Sequence, residues 1–411
     1  IEEDSMVELS TIQTNATLGL DRIDQRALPV DTTYSYGATG QGVHAYIIDT
    51  GIRATHTDFG GRANSVADFV GDGQNGFDCN GHGTHVAGTV GSNTYGVAKG
   101  VAIHGVRVMT CDGTGQVSSI VAAIDWITTN RVNPAVANIS LSLSGASSSL
   151  DTAITNSIAS GITYTIAAGN FGNDACIYSP ERTPNAITVG SIVPTADNTD
   201  YKMGYSNYGS CVDIFAPGNG IVSLSNADDV SSRMMNGTSM AAPHVAGVAA
   251  LYLETHRTAS PSEVRNSIVN SGTRGTITPL DASSPNIVLY SDLTFSPPTN
   301  DPPPPPPTST PTSCSGTLYT ATVPAGNVTY HTAVGFAGRA GSYSGVITML
   351  NSGGRAKLSL ERKQGKNWVQ VATTAGNVAT ETISYIGNKS TYRWKVTTVS
   401  EANYQLCSKI P

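Results

Sequence analysis

Short apolar runs alternate with longer stretches of helical periodicity through residue 254 of the chain. The runs 43–48 and 162–168 are rich in β-branched residues, which predicts buried strands. The periodic stretches predict helices over 82–90, 118–129, 150–160 and 239–254. Such alternation is typical of an α/β fold with a mostly parallel sheet flanked by helices. Sites in these sheets collect beyond the carboxyl ends of strands, where Asp49 and Asn170 are placed.

The pattern changes after residue 296. Six consecutive prolines, 302–307, fix the backbone and remove donors, so the segment 294–313 is predicted to be an extended linker. Beyond it, strand-like runs at 357–362, 368–372, 382–385 and 392–396 are separated by turn residues, and no helical pattern appears. We therefore predict a first domain over 10–293 and an all-β sandwich domain over 314–411.

Composition restricts the possible functions. The 411 residues are 39% hydrophobic and 13% charged, and no apolar run approaches the length of a bilayer span. Residues 1–313 hold 13 Lys and Arg against 27 Asp and Glu, which argues against nucleic-acid binding. Residues 314–411 hold 10 against 3. That basic excess fits either an anionic surface or an ordinary solvated face.

The cysteines indicate a compartment. There are six, and none forms a Cys-x-x-Cys pair, which favours three disulfides in an oxidising environment. Buried free thiols in a cytosolic enzyme are the alternative. The chain does not begin with Met and shows no signal peptide. We therefore expect a processed product that is secreted and monomeric, with no membrane partner.

The first candidate for chemistry is Asp49, which ends an apolar strand in the run from Tyr46 to Gly51. There its carboxylate is placed to orient an imidazole. Asp-Thr-Gly also occurs in aspartic proteases. Those enzymes need a second such motif, because two carboxylates must share a proton. The sequence contains no second Asp-Thr-Gly or Asp-Ser-Gly, so that alternative fails.

The second candidate is His82, in the run Asn-Gly-His-Gly-Thr-His-Val-Ala-Gly over 80–88. It is predicted to open a helix and to act as a general base. A zinc site made by His82 and His85 is the alternative. Their spacing is not His-Glu-x-x-His, and no general-base Glu lies between them. His85 is therefore interpreted as a hydrogen-bonded structural residue.

The third candidate is Ser239, at the start of an apolar helix in the run Asn-Gly-Thr-Ser-Met-Ala-Ala-Pro-His over 236–244. Amide groups at a helix start favour a developing negative charge. A serine before a helix is usually an N-cap. The specificity of the surrounding residues favours a nucleophile instead, with Pro243 in the first turn and His244 packed in the core.

Together the three runs resemble the signatures of the subtilase family, in the order Asp, His, Ser. The resemblance covers about 18–293, and the flanking runs 19–25 and 205–213 are similar to the aqualysin-type branch of the proteinase K group. It implies a serine endopeptidase that works through an acyl-enzyme. Ser239 would be its nucleophile, His82 its base and acid, Asp49 the orienting carboxylate and Asn170 the oxyanion amide. A catalytically silent binding or adhesion protein on the same scaffold is the rival interpretation.

The resemblance also implies a cleft that binds protein or peptide substrates as an extended strand. Its expected substrate-binding residues are Gly113, Thr114, Gly115, Ser140, Leu141, Ser142, Ala167, Ala168 and Gly169. Ser142 stands where the family usually has Gly, which makes the shape of the P1 pocket an open question. Because no charge is placed there to select Lys or Arg, we expect a broad apolar or aromatic P1 preference.

Structural calcium is the cofactor that the resemblance implies. One expected site has oxygen donors from Asp21, Asp24, Gln25, Asp31 and Thr33. A second has Asp213 with the carbonyl oxygens of Pro184 and Ala186, and Asp72 is a weaker third candidate. A solvated acidic loop is the alternative for the first set.

The resemblance further implies the disulfides Cys79–Cys111 and Cys176–Cys211, with Cys314 and Cys407 left to pair. Residues 1–9 read as the remnant of a family propeptide. The C-terminal domain is similar to bacterial prepeptidase C-terminal domains, which are accessory, and it is a candidate for holding insoluble substrate. Trp368 and Trp394 would serve such a face, although core packing of both is the alternative.

Overall fold

The computed structural model describes residues 11–291 and eight strands between Thr317 and Lys409. The chain divides into two compact units, Ile1–Thr299 and Asn300–Pro411. Residues 1–9, the segment 294–313 and Cys314 lie outside the described residues. The propeptide remnant, the linker, the domain boundaries and the third disulfide therefore stay predictions.

The first unit contains fourteen strands, six α-helices and two single-turn 3₁₀ helices (Thr57–Phe59 and Ala175–Ile177) among its described residues. The strands are β1 (Thr11–Thr14), β2 (Thr33–Tyr36), β3 (His44–Asp49), β4 (Ala63–Asp68), β5 (Ala102–Arg107), β6 (Ala135–Ile139), β7 (Thr163–Ala167), β8 (Ile187–Pro194), β9 (Asp200–Lys202), β10 (Ile214–Pro217), β11 (Ile221–Leu224), β12 (Ser232–Met235), β13 (Thr273–Arg274) and β14 (Ile287–Val288). The helices are α1 (Leu18–Ile23), α2 (His82–Gly91), α3 (Val117–Asn130), α4 (Ser148–Ala159), α5 (Thr238–Thr255) and α6 (Pro261–Ser271).

A ten-stranded sheet forms the centre of this unit, in the order β13-β14-β10-β8-β7-β6-β3-β5-β4, with β9 paired to β8. Its pairs are parallel except β13 with β14 and β8 with β9. The α/β prediction of a mostly parallel sheet is confirmed. Two-stranded sheets, β1 with β2 and β11 with β12, stand beside it.

Side chains alternate between the two faces of the central sheet, as the period of a strand requires. In β3, Ala45 and Ile47 join one core, which also contains apolar residues of α2, α5 and α6. Tyr46 and Ile48 join the other core, with residues of α3 and α4. Both faces are therefore covered, which explains why the parallel strands read as continuous apolar runs.

The helix α5 is buried along almost its whole length. Gly247 allows this, because a Cβ there would lie 2.4 Å from Val97 Cβ and 3.2 Å from the Val90 carbonyl oxygen. The absence of a side chain brings α5 against α2 and fixes the helix that begins beside Ser239. Within the described residues, no helix combines the length and apolar character that crossing a membrane requires.

The four predicted helices are present and end within two residues of the predicted positions. The sequence interpretation missed α1 and α6. The second of these carries a clear local signal, since Ser260 and Glu263 form a capping box and Pro261 occupies the first turn. It was missed because its charged and polar face dilutes the apolar periodicity.

The second unit has two four-stranded antiparallel sheets. Its strands are β15 (Thr317–Val323), β16 (Val328–Gly338), β17 (Gly341–Met349), β18 (Ala356–Gln364), β19 (Asn367–Thr373), β20 (Thr380–Gly387), β21 (Ser390–Thr398) and β22 (Ala402–Lys409). The orders are β15-β22-β17-β20 and β16-β21-β18-β19. Trp394 of one sheet is fully buried and donates from Nε1 to Ser408 Oγ of the other at 2.6 Å. The all-β prediction is confirmed.

Candidate active site

The carboxyl end of β3 places Asp49 beside the start of α2. Asp49 is 1% exposed, and its Oδ1 lies 2.7 Å from His82 Nδ1. The same oxygen accepts a hydrogen bond from the backbone amide of Thr50. The carboxylate therefore fixes the imidazole orientation and directs the other ring nitrogen, Nε2, away from Asp49. This is the pair that the sequence predicted.

A second carboxylate, which the sequence interpretation missed, holds the start of α2 in place. Asp78 is fully buried and accepts five hydrogen bonds. The donors are the backbone amides of Asn80, Gly81 and Thr84 and the hydroxyls of Thr50 and Thr84. A negative charge at a helix N-terminus is favourable. Asp78 therefore ties His82 to the strand end that carries Asp49.

The pKa of His82 is raised above its ordinary value. Burial disfavours the charged ring, but the charge and hydrogen bond of Asp49, with a contribution from Asp78, outweigh that penalty. The side chain is 23% exposed, so it remains open to a reacting group. The arrangement suits a base that must hold a proton during a reaction.

Ser239 lies at the same edge of the sheet. Strands β3 and β6 are parallel neighbours with Ile48 opposite Ile139, so the next residues, Asp49 and Ser140, follow the two strands side by side. Among the described residues, the Ser239 hydroxyl donates to the Ser140 carbonyl oxygen at 3.0 Å rather than to the His82 ring. The hydroxyl must therefore rotate before it can meet the imidazole.

Pro243 contributes to this position in a way the sequence interpretation did not foresee. It is the sixth residue of α5, one turn later than predicted. Because proline has no backbone N–H, the carbonyl oxygen of Ser239 loses its intrahelical donor. Ser140 Oγ donates to that oxygen at 2.8 Å instead. The proline thus ties the start of α5 to the end of β6.

Asn170 follows β7 and faces the same helix start. Its Oδ1 accepts from the backbone amide of Thr238 at 2.9 Å and from the Thr238 hydroxyl at 3.0 Å. With its oxygen held in this way, the exposed side chain retains its amide nitrogen as a donor. A donor beside Ser239 suits a developing oxyanion.

The predicted cleft segments surround this edge. Ser140 bonds to Ser239, and the Gly169 amide donates to Thr238 Oγ1 at 3.1 Å. The segment from Gly113 to Gly115 connects to α2 through Asn80, which donates to the Cys111 carbonyl oxygen at 3.0 Å and accepts from the His82 amide at 3.2 Å. Of the other predicted cleft residues, Leu141, Ala167 and Ala168 are buried, and Thr114 is exposed.

An ionisable side chain that the sequence interpretation missed lies at the cleft. Glu181 lies against it, 1% exposed, and its Oε1 accepts a hydrogen bond from Ser142. Burial raises the pKa of Glu181 to about 8. The expectation of an apolar P1 preference did not take this ionisable side chain into account, and the preference stays a prediction. The signal was weak in sequence, because Glu181 is about 40 residues from Ser142.

The other two motif histidines are structural, as interpreted. His85 is fully buried with Nε2 3.0 Å from the Ile221 carbonyl oxygen, and His244 Nδ1 lies 2.8 Å from the Met240 carbonyl oxygen. Burial lowers the pKa of each to about 4. Neutral, hydrogen-bonded rings are what a packed core requires.

The first predicted calcium site brings three carboxylates together. Asp21 accepts from the backbone amide of Asp31 at 2.9 Å, and Asp24 accepts from that of Ser35 at 2.7 Å. Asp24 Oδ1 is buried without a partner in the described region. Burial, with the charges of Asp21 and Asp31, raises the pKa of Asp24 to about 6. A buried carboxyl oxygen close to two further carboxylates fits a hard cation.

The remaining donors of that site are mixed. The Gln25 amide nitrogen donates to the carbonyl oxygens of Ala27 and Pro29, which leaves its own oxygen available. Thr33 Oγ1 donates to Asp31 at 2.6 Å. In the residues that the structure describes, no three acidic, His or Cys side chains already form a cluster of metal-binding geometry. These oxygen donors are of the kind that calcium prefers, although the acidic side chains also accept hydrogen bonds from nearby backbone amides.

The carboxylates of the other two predicted calcium sites have cationic neighbours, and both sites stay predictions. Asp213 Oδ1 is paired with the Arg265 guanidinium, and its Oδ2 accepts from the Thr188 amide at 2.8 Å. A fixed cation therefore already neutralises the carboxylate that Pro184 and Ala186 were expected to assist. Asp72 likewise has both oxygens bonded to Arg107, at 2.6 and 2.7 Å.

Two of the predicted disulfides are present. Cys79 is bonded to Cys111, and Cys176 to Cys211. The first joins the residue beside Asp78 to the segment that leads into Gly113. Such a bond stabilises mainly by restricting the unfolded chain, by roughly 3–4 kcal/mol for a loop of this size. It also limits the separation of two parts of the cleft.

Comparison with known proteins agrees with this geometry. Residues 40–287 match the model of the subtilase family. The chain is 50% identical over 291 residues to an extracellular serine proteinase of Thermus sp. (strain Rt41A), covering 71% of this chain and 70% of that protein. It is 48% identical over 297 residues to alkaline serine exoprotease A of Vibrio alginolyticus, covering 71% of this chain and 54% of that protein.

A solved structure gives the same result. The crystal structure of a cold adapted subtilisin-like serine proteinase superposes with a TM-score of 0.65 at 46% identity, covering 68% of this chain and 99% of the other. The chain belongs to the subtilase family. It is a subtilisin-like serine endopeptidase, a hydrolase that acts on proteins and peptides.

Proposed function

We propose that the chain is a secreted endopeptidase whose acyl-enzyme forms on Ser239. The observation that carries the proposal is the 2.7 Å hydrogen bond between His82 and a buried Asp49, with Ser239 bonded at the end of the adjacent strand. Relatives named as extracellular proteinase and exoprotease support secretion. The two disulfides are consistent with an oxidising compartment.

The reaction begins when the Ser239 hydroxyl turns from the Ser140 carbonyl to His82 Nε2. His82 takes its proton as the oxygen attacks the substrate carbonyl, and Asp49 stabilises the imidazolium that forms. The same proton then goes to the leaving amine, which leaves an ester on Ser239. Water, activated by His82, hydrolyses that ester and restores the hydroxyl.

The oxyanion that forms on the substrate carbonyl would accept from the Asn170 side-chain amide and from the Ser239 backbone N–H. The fixed contact of Asn170 Oδ1 with Thr238 supports this role, because a donor held in place before reaction needs no reorganisation. In subtilisin, loss of one such amide lowers turnover by roughly 10²–10³-fold. The same order is expected for Asn170→Ala.

Substrate would lie as an extended strand between the segments 113–115 and 140–142, and the P1 side chain would enter beside 167–169. The contacts of Ser140 and Gly169 with the start of α5 support this placement, because they bring both walls next to Ser239. Main-chain hydrogen bonds to such an added strand give affinity with little sequence selectivity. Selectivity then depends on the P1 pocket.

Structural calcium would bind at Asp21, Asp24 and Asp31, assisted by Gln25 and Thr33. The unpartnered, buried Asp24 Oδ1 supports this. The ion would stabilise the loop that follows α1, since a ligand that binds only the folded state raises its stability. It would take no part in the chemistry, because these residues lie outside the Asp49–His82 pair.

Labelling with a fluorophosphonate separates catalysis from a silent scaffold. The wild type and Ser149→Ala, an exposed serine on α4 that serves as the control, should both be labelled and both hydrolyse casein. Ser239→Ala should do neither. Retained proteolysis in Ser239→Ala would overturn the proposed mechanism, and absence of labelling in the folded wild type would favour the binding protein.

The second unit offers one surface for holding insoluble substrate. Trp394 is buried and excluded from it, but the Arg393 guanidinium stacks on Tyr330 at 4.0 Å and on the partly exposed Trp368 at 4.3 Å. Stacked aromatic and cationic groups suit polymer surfaces. The inactive Ser239→Ala chain should bind insoluble collagen, keratin or polysaccharide, and a further Trp368→Ala change should weaken that binding. Equal binding by the two variants would exclude a role for Trp368 in holding insoluble substrate.

A further inference from the structure

A buried carboxyl group lies between the two proposed walls of the P1 pocket. Glu181 is 1% exposed. Its Oε1 accepts a hydrogen bond from the Ser142 hydroxyl and lies 3.0 Å from the position that a Cβ on Gly169 would occupy. Because Ser142 belongs to one wall and Gly169 to the other, this carboxyl group closes the space between them.

The closed end of that space is near the reacting hydroxyl. Ser140, two residues before Ser142, exchanges two hydrogen bonds with Ser239, because the hydroxyl of each serine donates to the carbonyl oxygen of the other. The Gly169 amide donates to the Thr238 hydroxyl. The P1 side chain of a substrate belongs to the residue whose carbonyl carbon Ser239 attacks. It therefore enters between these walls and points toward Glu181.

Glu181 lacks a cationic partner among the described residues. Its Oε2 is buried without a hydrogen bond, and the side-chain nitrogen of Asn207, 2.4 Å from the same Cβ position on Gly169, also lacks an acceptor. Arg182, the next residue in the chain, pairs instead with Asp151 of α4 at 2.7 Å. Buried carboxyl groups are normally paired with a cation or fully hydrogen-bonded, so Glu181 Oε2 remains available to a ligand.

We propose that Glu181 is a specificity-determining residue that pairs with a Lys or Arg side chain of the substrate at P1. This rests on the proposed function, which identifies the walls of the pocket. A guanidinium or ammonium group supplies the donor that Oε2 lacks, and a charge-assisted bond in a water-poor site is strong. Ser142, in place of the usual Gly, orients the other oxygen.

The charge of the pocket then depends on pH. Burial raises the pKa of Glu181 to about 8, and the charge of Asp151 adds to the rise, while the Ser142 hydrogen bond opposes it. At lower pH the carboxyl group is neutral and tolerates an apolar P1 side chain. A cationic P1 side chain binds the ionised form, so its advantage grows as pH rises and levels off above about 8.

Two peptide nitroanilides that differ only in Arg or Leu at P1 test this. Their ratio of kcat/KM cancels the titration of His82, which is common to both. In the wild type, the Arg-to-Leu ratio should rise by at least about tenfold between pH near 6 and pH near 9.5. In Glu181→Gln this ratio should stay constant within about twofold over the same pH range. Asp125→Asn, which removes an exposed carboxylate on α3, should keep the wild-type profile.

A measurement on the unmutated enzyme makes the test independent of the variant's folding. Benzamidine, a cationic mimic of a P1 side chain, should inhibit with a Ki that falls about tenfold or more over the same pH range. A pH-independent ratio and Ki in the wild type, or an unchanged ratio in a folded Glu181→Gln variant, would overturn the inference. Failure of the wild type to hydrolyse either substrate would contradict the proposed function instead.

Discussion

The carboxylate of Asp78 provides the most stringent test of how this fold holds its reactive histidine. It is fully buried, and it accepts three bonds on Oδ1 and two on Oδ2. Changing Asp78→Asn keeps the size of the side chain but turns one oxygen into a donor. Whichever oxygen is replaced, at least one backbone amide at the start of α2 then faces another donor.

The cost follows from these contacts. A buried amide that loses its acceptor costs about 1–3 kcal/mol. The loss of a negative charge at the helix start adds about 0.3–1 kcal/mol, and up to about 2 when the charge is buried. We therefore expect Asp78→Asn to lower the free energy of unfolding by about 2–5 kcal/mol. Because Asp78 raises the pKa of His82, the same change should also lower that pKa.

Unfolding should be measured in guanidinium with Ser239→Ala as the background, so that autolysis does not contribute. Asp174→Asn is the matched control, because Asp174 caps a single-turn helix with one 2.9 Å bond to the Cys176 amide and should cost about 1 kcal/mol. In the active background, the acid limb of kcat/KM should move to lower pH in Asp78→Asn. A loss of unfolding free energy smaller than that of Asp174→Asn, or an acid limb of kcat/KM that moves to higher pH, would refute the reasoning.

Three further predictions concern other parts of the first unit. The free energy of unfolding of the wild type should fall by up to about 4 kcal/mol as pH rises from about 5 to about 8, because the folded state keeps a proton on Glu181 that the unfolded chain releases. Thermal melts at several pH values should show a flatter pH profile for Glu181→Gln. Gly83→Ala should fail to fold stably, since its Cβ would lie 2.1 Å from the Gly51 carbonyl oxygen, whereas Gly204→Ala, with open space around it, should melt like the wild type. A calcium chelator should lower the melting temperature of the wild type, and Asp24→Asn should remove most of that sensitivity; equal shifts in both proteins would exclude the site.

The parts of this protein that depend on neighbours in sequence were predictable. Strands such as β3 and β6 read as continuous apolar runs because both faces of the sheet are buried, and the helices between them keep an apolar stripe. The three motif runs are local as well, so Asp49, His82 and Ser239 could be selected before any geometry was known. Parallel pairing then brings the ends of adjacent strands to one edge.

Contacts between distant segments were not predictable in the same way. Asp78 lies within the histidine motif region, but its role needs the hydroxyl of Thr50 from another strand end. Glu181 acquires its position from Ser142, and Arg265 reaches Asp213 across 52 residues. One sequence carries no periodic signal for such pairs. These contacts did not enter the expectations for the P1 pocket and the second calcium site, and both expectations stay predictions.

The buried acidic groups of the first unit therefore differ according to what neutralises them. Arg265 neutralises Asp213, and Arg107 neutralises Asp72. Asp24 and Glu181 each retain one buried oxygen without a partner among the described residues. Since an isolated buried carboxylate is costly, each must either keep a proton or obtain a cation from outside. The two acids differ in access, because Asp24 belongs to a loop of oxygen donors and Glu181 faces the space beside Ser239. The first therefore calls for a metal ion, and the second for the side chain of a substrate.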